Sequence, residues 1–227
     1  MKSAKGFVLS TVRYGDSDAV LHCFTEEEGF QSYFGRGLFS AKSRNKLYLQ
    51  PLSEIAFSIN LAGSRGISNI SKIELLKSQD NPDVKTGSIL FFLADFLNII
   101  LRNEERNLNL YNEIGALKNR LHLRDPNAHV FFMVRTLLLL GLAPLRGGGN
   151  YLNLEEGLFE DLPTHQLFDK DISMLWRWAL GEDHMFNGEI NNALRRSFLN
   201  SILMYYQIHV PGFRTPVSLE VVQEVFA

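Results

Sequence analysis

Four cations, Arg36, Lys42, Arg44 and Lys46, fall between Glu28 and Glu54, an interval with no acidic residue, so the stretch carries +4. Gly35 and Gly37 flank Arg36, and Ser40 and Ser43 sit among the cations. Phe30, Tyr33, Phe34, Phe39 and Tyr48 frame them. Cations at short spacing neutralise successive phosphates, a serine hydroxyl adds a hydrogen bond, and aromatic faces stack on bases. The chemistry expected of Arg36, Lys42, Ser43, Arg44 and Lys46 is therefore sequence-independent binding of a nucleotide backbone. Arg13, Lys5 and Arg65 extend the track if the fold brings them alongside. A solvated basic loop between two strands is the competing reading.

No other chemistry is encoded as clearly. There is no GxxxxGK[ST], HExxH or GxSxG pattern. The glycine run Gly147–Gly149 is followed by no lysine, so it lacks the cation of a phosphate loop. The six histidines are scattered, and Asp125-Pro126 breaks any helix that would pair His122 with His129 on one face. The single cysteine, Cys23, excludes a disulfide within the chain and an all-cysteine zinc site. It lies in the apolar run Ala19–Phe24 and reads as buried and inert, with His22 on the opposite side of the same strand. No catalytic residue, metal or cofactor is expected.

The elements that must position the basic stretch follow from periodicity. Residues 5–14, 19–25, 30–37, 47–60 and 67–77 read as five strands, rich in β-branched and aromatic residues and punctuated by glycine-bearing turns; Pro51 marks an edge or bulge. Five strands in about 75 residues predict a small closed barrel. An OB-fold and an SH3-like barrel both satisfy that count. Phe7, Phe24 and Phe57 are expected in the barrel core, and Tyr33, Phe39 and Tyr48 are the stacking candidates.

After the polar segment 78–83 the apolar period changes from two to 3.6. Helices are expected over 84–102, 107–121, 125–140, 169–180, 189–209 and about 215–226, with Asp125 as N-cap and Pro126 at the first helical position of the third. A small hairpin is expected near 151–159. The fold class is thus α+β, with two domains: a five-stranded barrel over 1–78, and an α-helical bundle over 84–227 with an insertion at about 146–165. Residues 1–78 hold ten Lys or Arg against seven Asp or Glu, and the remainder thirteen against eighteen, so a polyanion would meet the front of the chain. The N-terminus lacks the apolar core of a signal peptide, and Arg135 interrupts the most apolar run, Val130–Leu145. A soluble cytoplasmic protein is expected.

An ordered set of short motifs adds to this reading. Tyr14-Gly15-Asp16-Ser17-Asp18, Phe24-Thr25, Gly29, Gly35-Arg36-Gly37, Lys42-Ser43-Arg44 and Leu49-Gln50-Pro51 occur in that order. Leu139–Pro144 (LLGLAP), Tyr205-Tyr206 with His209, and Ser218–Val221 (SLEV) follow. The series resembles the bacterial RecO family over nearly the whole chain. The resemblance implies an N-terminal OB-fold, a helical C-terminal domain and a non-enzymatic recombination mediator. Such a protein binds single- and double-stranded DNA, anneals complementary strands, works with RecR, engages the C-terminal tail of SSB, and indirectly helps RecA load. The acidic, apolar tail needs a cation beside a greasy groove, for which Arg120, Arg124 and Arg135 are the candidates. Many members carry a four-cysteine zinc site just after the LGxxP segment; Leu145–Asn150 has no cysteine, so a zinc-less branch is expected, with packing of Tyr151, Leu154 and Phe159 in place of the metal. The alternatives are a protein-interaction adaptor without nucleic acid, and a small-molecule enzyme built on the Gly147–Gly149 loop.

Overall fold

The computed structural model describes residues 2–40, 43, 48–60, 67–76, 82–145, 147–181 and 190–225. Lys42, Arg44, Lys46 and Arg65 lie outside the described residues.

Five strands, β1 (Lys2–Tyr14), β2 (Asp18–Thr25), β3 (Gly29–Gly35), β4 (Glu54–Asn60) and β5 (Ser68–Leu75), close into a barrel in the order β1-β2-β3-β5-β4. All pairings are antiparallel except β3–β5, where Tyr33–Gly35 run parallel to Ser68–Ile70. That parallel seam closes the barrel as an OB-fold and excludes the SH3-like alternative. The barrel is filled by Val8, Ala19, Leu21, Cys23, Tyr33, Ile55, Phe57, Ile59 and Ile70, among others. Burial holds the Cys23 thiol neutral, its pKa pushed up to about 12. His22 faces the other way, sharing a hydrogen bond with Ser32 Oγ at 2.8 Å and stacking on Phe30.

In the barrel the structure corrects three expectations. Phe7 and Phe24 are buried but stand outside the barrel core; they oppose each other across β1–β2, and the Phe7 ring packs on Tyr111 at 4.8 Å. Tyr33 is inside, because it pairs directly with Leu21, and directly opposed residues share a face. It is only 3% exposed and meets Phe57 edge-on, so it cannot stack on a base. The fourth strand begins at Glu54, not Leu47. Pro51 lies in a turn whose Leu52 N–H and Ser53 carbonyl bond back to Val8, and Leu52 takes a positive φ of 56° there.

Helices α1 (Val84–Ile100), α2 (Leu108–His122), α3 (Ala128–Leu139), α4 (Lys170–Ala179), α5 (Asn192–His209) and α6 (Leu219–Val225), with the hairpin β6 (Tyr151–Asn153) and β7 (Leu158–Glu160), complete the chain. The chain forms two compact units, one of residues 1–111 with 216–225 and another of 112–215. In the first, Asp83 caps α1 by accepting from Thr86 N–H at 2.8 Å, and α1 packs on β1 and α6. Ser218 donates to Asp95 at 2.8 Å, fixing the start of α6. The segment after α1 crosses the β2–β3 turn, where Phe30 N–H bonds Glu104 carbonyl at 2.9 Å. Gly29 is required at this crossing: its φ is 72°, and a Cβ would stand 2.2 Å from the Glu105 carbonyl oxygen.

In the second unit α3 is buried on nearly every side and packs against α4 and α5. It starts at Ala128, two residues after the expected start at Pro126. Asp125 does not cap it; its carboxylate accepts from Asn127 N–H at 2.9 Å and from the Arg120 guanidinium, closing a turn ahead of the helix. Trp176 lies against Phe198 and Tyr205 and donates to Ser201 at 3.0 Å.

The hairpin follows the triglycine stretch Gly147–Gly149. Leu152, Leu154 and Phe159 are buried, whereas Tyr151 is half-buried. The Arg177 guanidinium lies over the Phe159 ring at 4.3 Å and donates to the Gly147 carbonyl at 2.8 Å and to the Gly149 carbonyl. A Cβ on Gly149 would fall 1.9 Å from the backbone carbon of Glu160, and one on Gly147 2.4 Å from the Phe159 carbonyl oxygen. The glycines let this segment press flat against β7, and Arg177 ties it down.

Candidate nucleic-acid interface

The turn after β3, residues 36–39, is folded back onto the β1–β2 turn. Gly37 N–H donates to the Asp18 carboxylate at 2.8 Å, and Phe39 N–H donates to the Ser17 carbonyl at 2.8 Å. Arg13, at the end of β1, lies over the Phe39 ring at 4.8 Å. The fold therefore brings Arg13 and Arg36 to one end of the barrel. Arg36 is exposed and makes no ion pair or hydrogen bond among the described residues, so its guanidinium is open to an anion. Ser43 and Tyr48 are half-buried in the connection to β4, and Tyr48 and Phe39 both lean against the barrel core. Of the stacking candidates, one Phe39 face is taken by Arg13.

Lys5 is not part of this cluster. It sits eight residues from Arg13 along β1, roughly 26 Å at strand rise, and pairs with Glu26 at 2.7 Å. Lys2 is likewise paired, with Glu28.

Sequence reasoning passed over Lys72. It projects from β5 beside Arg36, and both line an open cleft of about 460 Å³. Lys72 takes a positive φ of 51° inside a strand. The cause is a β-bulge: Ala56 pairs with Glu74 and Ser58 with Ser71, so Phe57 alone faces Lys72 and Ile73. No glycine or proline announces it, and in the sequence Lys72 reads as an ordinary outward position of the strand.

In the second unit the three arginines differ. Arg120 is clamped by Asp125 through two bonds, at 3.0 and 2.7 Å. Arg135 stands 3.7 Å from Glu113. Arg124 is exposed and has no side-chain partner among the described residues. Among the described residues no group of three or more His, Cys, Asp or Glu could hold a metal ion, and no helix is long and apolar enough to cross a membrane.

The family model for the recombination protein O N terminal matches residues 1–79, the span of the barrel. Over the full length, the chain is 31% identical to the DNA repair protein RecO of Phocaeicola vulgatus, covering 100% of both chains. It is 29% identical to that of Porphyromonas gingivalis and 27% to that of Christiangramia forsetii, with 98% of each chain covered in both cases. At 31% identity over the full length of both chains, with the barrel matched by the family model, the chain belongs to the RecO family of DNA repair proteins.

Proposed function

We propose that the chain is a non-catalytic recombination mediator that grips single- and double-stranded DNA by its phosphates. Its barrel domain, 1–78, holds the nucleic acid, and its helical domain, 84–227, meets proteins. The observation that carries the reading is the pairing of an OB barrel of this DNA repair family with an acid-free stretch of +4 that starts from the exposed Arg36, which has no partner among the described residues. Arg36, Lys42, Arg44 and Lys46 take phosphates, Ser43 adds a hydroxyl bond, Arg13 flanks them, and Arg65 adds a further cation to the track. Because phosphate contacts carry no sequence information, such a surface holds any strand, as annealing of complementary strands requires. Lys5 contributes only when DNA displaces Glu26.

RecR, the SSB tail and, indirectly, RecA are the protein partners. Among Arg120, Arg124 and Arg135, Arg124 leads for the tail carboxylates, since the other two already face Asp125 and Glu113.

Fluorescence anisotropy with labelled single-stranded DNA at low and moderate salt tests the DNA reading. The triple Lys42→Glu, Arg44→Glu, Lys46→Glu variant is expected to lose binding at moderate salt. Unchanged binding by that variant returns the stretch to a solvated loop, and no binding by the unaltered protein favours the adaptor reading.

A further inference from the structure

The chain leaves the barrel unit and comes back to it. Residues 112–215 form a unit of their own, inserted between 1–111 and 216–225, which together make the other. The change of period after residue 83 therefore marks where helix begins, not where the barrel unit ends. Within that unit Ser10 Oγ donates to Asn98 Oδ1 at 3.2 Å, joining β1 to α1. The segment leaving α1 then clasps both sides of the β2–β3 turn: Phe30 N–H reaches the Glu104 carbonyl, and Arg106 Nε reaches the Glu26 carbonyl at 3.3 Å. On α1, Asp95 accepts from Ser218 Oγ at 2.8 Å and from Ser218 N–H at 3.5 Å. Asp95 and Asn98 are three residues apart, so one face of α1 is tied to β1 and to the start of α6 at once.

α6 is slight for that position. Seven residues are too few to hold a helix without packing. Among its described side chains Val222 alone is buried, at 2% exposure, whereas Val221 and the preceding Val217 are 41 and 85% exposed. An element held by so few buried apolar contacts opens at lower cost than the core around it.

We propose that α6 is a strap, a reversible latch closed across Asp95 and Ser218, which holds α1 against the barrel and opens without unfolding residues 112–215. With the strap closed, α1 is pinned between β1 and the end of the chain. With it open, α1 loses one of its two polar ties, and the clasp on the β2–β3 turn loosens with it. The end of the chain thereby governs one wall of the barrel, and whatever grips residues 216–225 acts on that wall. The inference holds whatever the barrel binds.

Hydrogen exchange read by mass spectrometry on the full chain tests it. In the unaltered protein α6 should be less protected than α1 and α3. Val222→Asp sets a carboxylate in the buried contact and undocks the strap. Exchange in α1 and around Phe30 is then expected to rise roughly tenfold or more, the equilibrium equivalent of losing one buried valine. Exchange in α3 and α5 should stay within about twofold of the parent. Ser218→Ala, which removes only the hydroxyl bond, should give the same pattern at about fivefold, and it decides the matter if the first variant fails to fold. Unchanged exchange in α1 would make α6 a passive chain end. An equal rise in α3 and α5, or an α6 as protected as α3 in the unaltered protein, would mean that the chain opens as one body, and the latch would be refuted.

Discussion

Replacing Arg177 by alanine removes the guanidinium that ties the triglycine segment to α4. The guanidinium makes two hydrogen bonds, to the Gly147 and Gly149 carbonyls, and lies over Phe159 at 4.3 Å. Bonds from a charged donor are worth about 1.5 kcal/mol each at the low end, and a partly exposed cation over a ring about 0.5 kcal/mol more. Gly149 is buried, so its carbonyl would be left without the guanidinium and shielded from water. The expected loss is therefore about 3.5 kcal/mol. For a chain of this size melting in one step, that lowers Tm by roughly 7–14 °C. Arg177→Lys should lose about half as much, because an ammonium serves one carbonyl well and lacks the flat face that covers Phe159. Urea unfolding followed by circular dichroism gives the stability, and hydrogen exchange over 147–160 gives the local effect. An alanine variant within about 0.5 kcal/mol of the parent, with exchange in that segment unchanged, would refute the reasoning. Burial of Leu152, Leu154 and Phe159 would then be sufficient by itself to hold the hairpin.

Two further outcomes follow from burial and close approach. His129 is wholly buried, and burial first, then the Arg195 charge, lowers its pKa to about 4 from the usual 6.5. The unfolded chain takes up this proton as pH falls below about 6.5 while the folded chain does not, so the histidine has no effect above that pH and destabilises increasingly down to about 4. Between pH 7.5 and 5 the parent should lose about 2 kcal/mol that a His129→Gln variant keeps; equal losses in urea titrations of the two would contradict this. Gly29→Ala sets a Cβ 2.2 Å from the Glu105 carbonyl oxygen at a φ of 72°, and should cost more than about 2 kcal/mol. A melting temperature equal to the parent's would show that the crossing segment yields without strain.

Much of the architecture was legible because each element carries its own period. The switch from alternation to a repeat of 3.6 after residue 83 marks the start of α1, and Asp83 and Asp169 cap their helices as such residues should. What misled was local. β1 is buried on both faces over residues 6–9, and α1 packs on it, so Phe7 could not be assigned to the inside by alternation. In β3 the larger apolar residues, Phe30 and Phe34, are half-buried, and the inward positions are Gly29, Tyr33 and Gly35, so side-chain size pointed the wrong way. The turn at 48–53 reads as strand because its residues are apolar, and only its bonds to Val8 show that it folds back.

The candidate site was legible in composition and not in geometry. An acid-free basic stretch can be counted from the chain, and so Arg36 was found. Its anchoring through Asp18 depends on a contact nineteen residues away, which no spacing rule anticipates. Lys72 lay hidden because its placement depends on a bulge set by pairing with β4. The pairing of Arg120 with Asp125 was foreseeable from their spacing across a helix end, whereas the sequence does not signal the positive φ at the exposed Arg124.

The most direct measurement is the salt dependence of single-strand affinity for the unaltered protein. With Arg36, Lys42, Arg44 and Lys46 each neutralising a phosphate, a log–log plot of the association constant against salt should fall with a slope of about −2.8 or steeper. A slope shallower than about −0.7, equivalent to a single contact or none, would contradict a barrel that holds nucleotide backbones by charge.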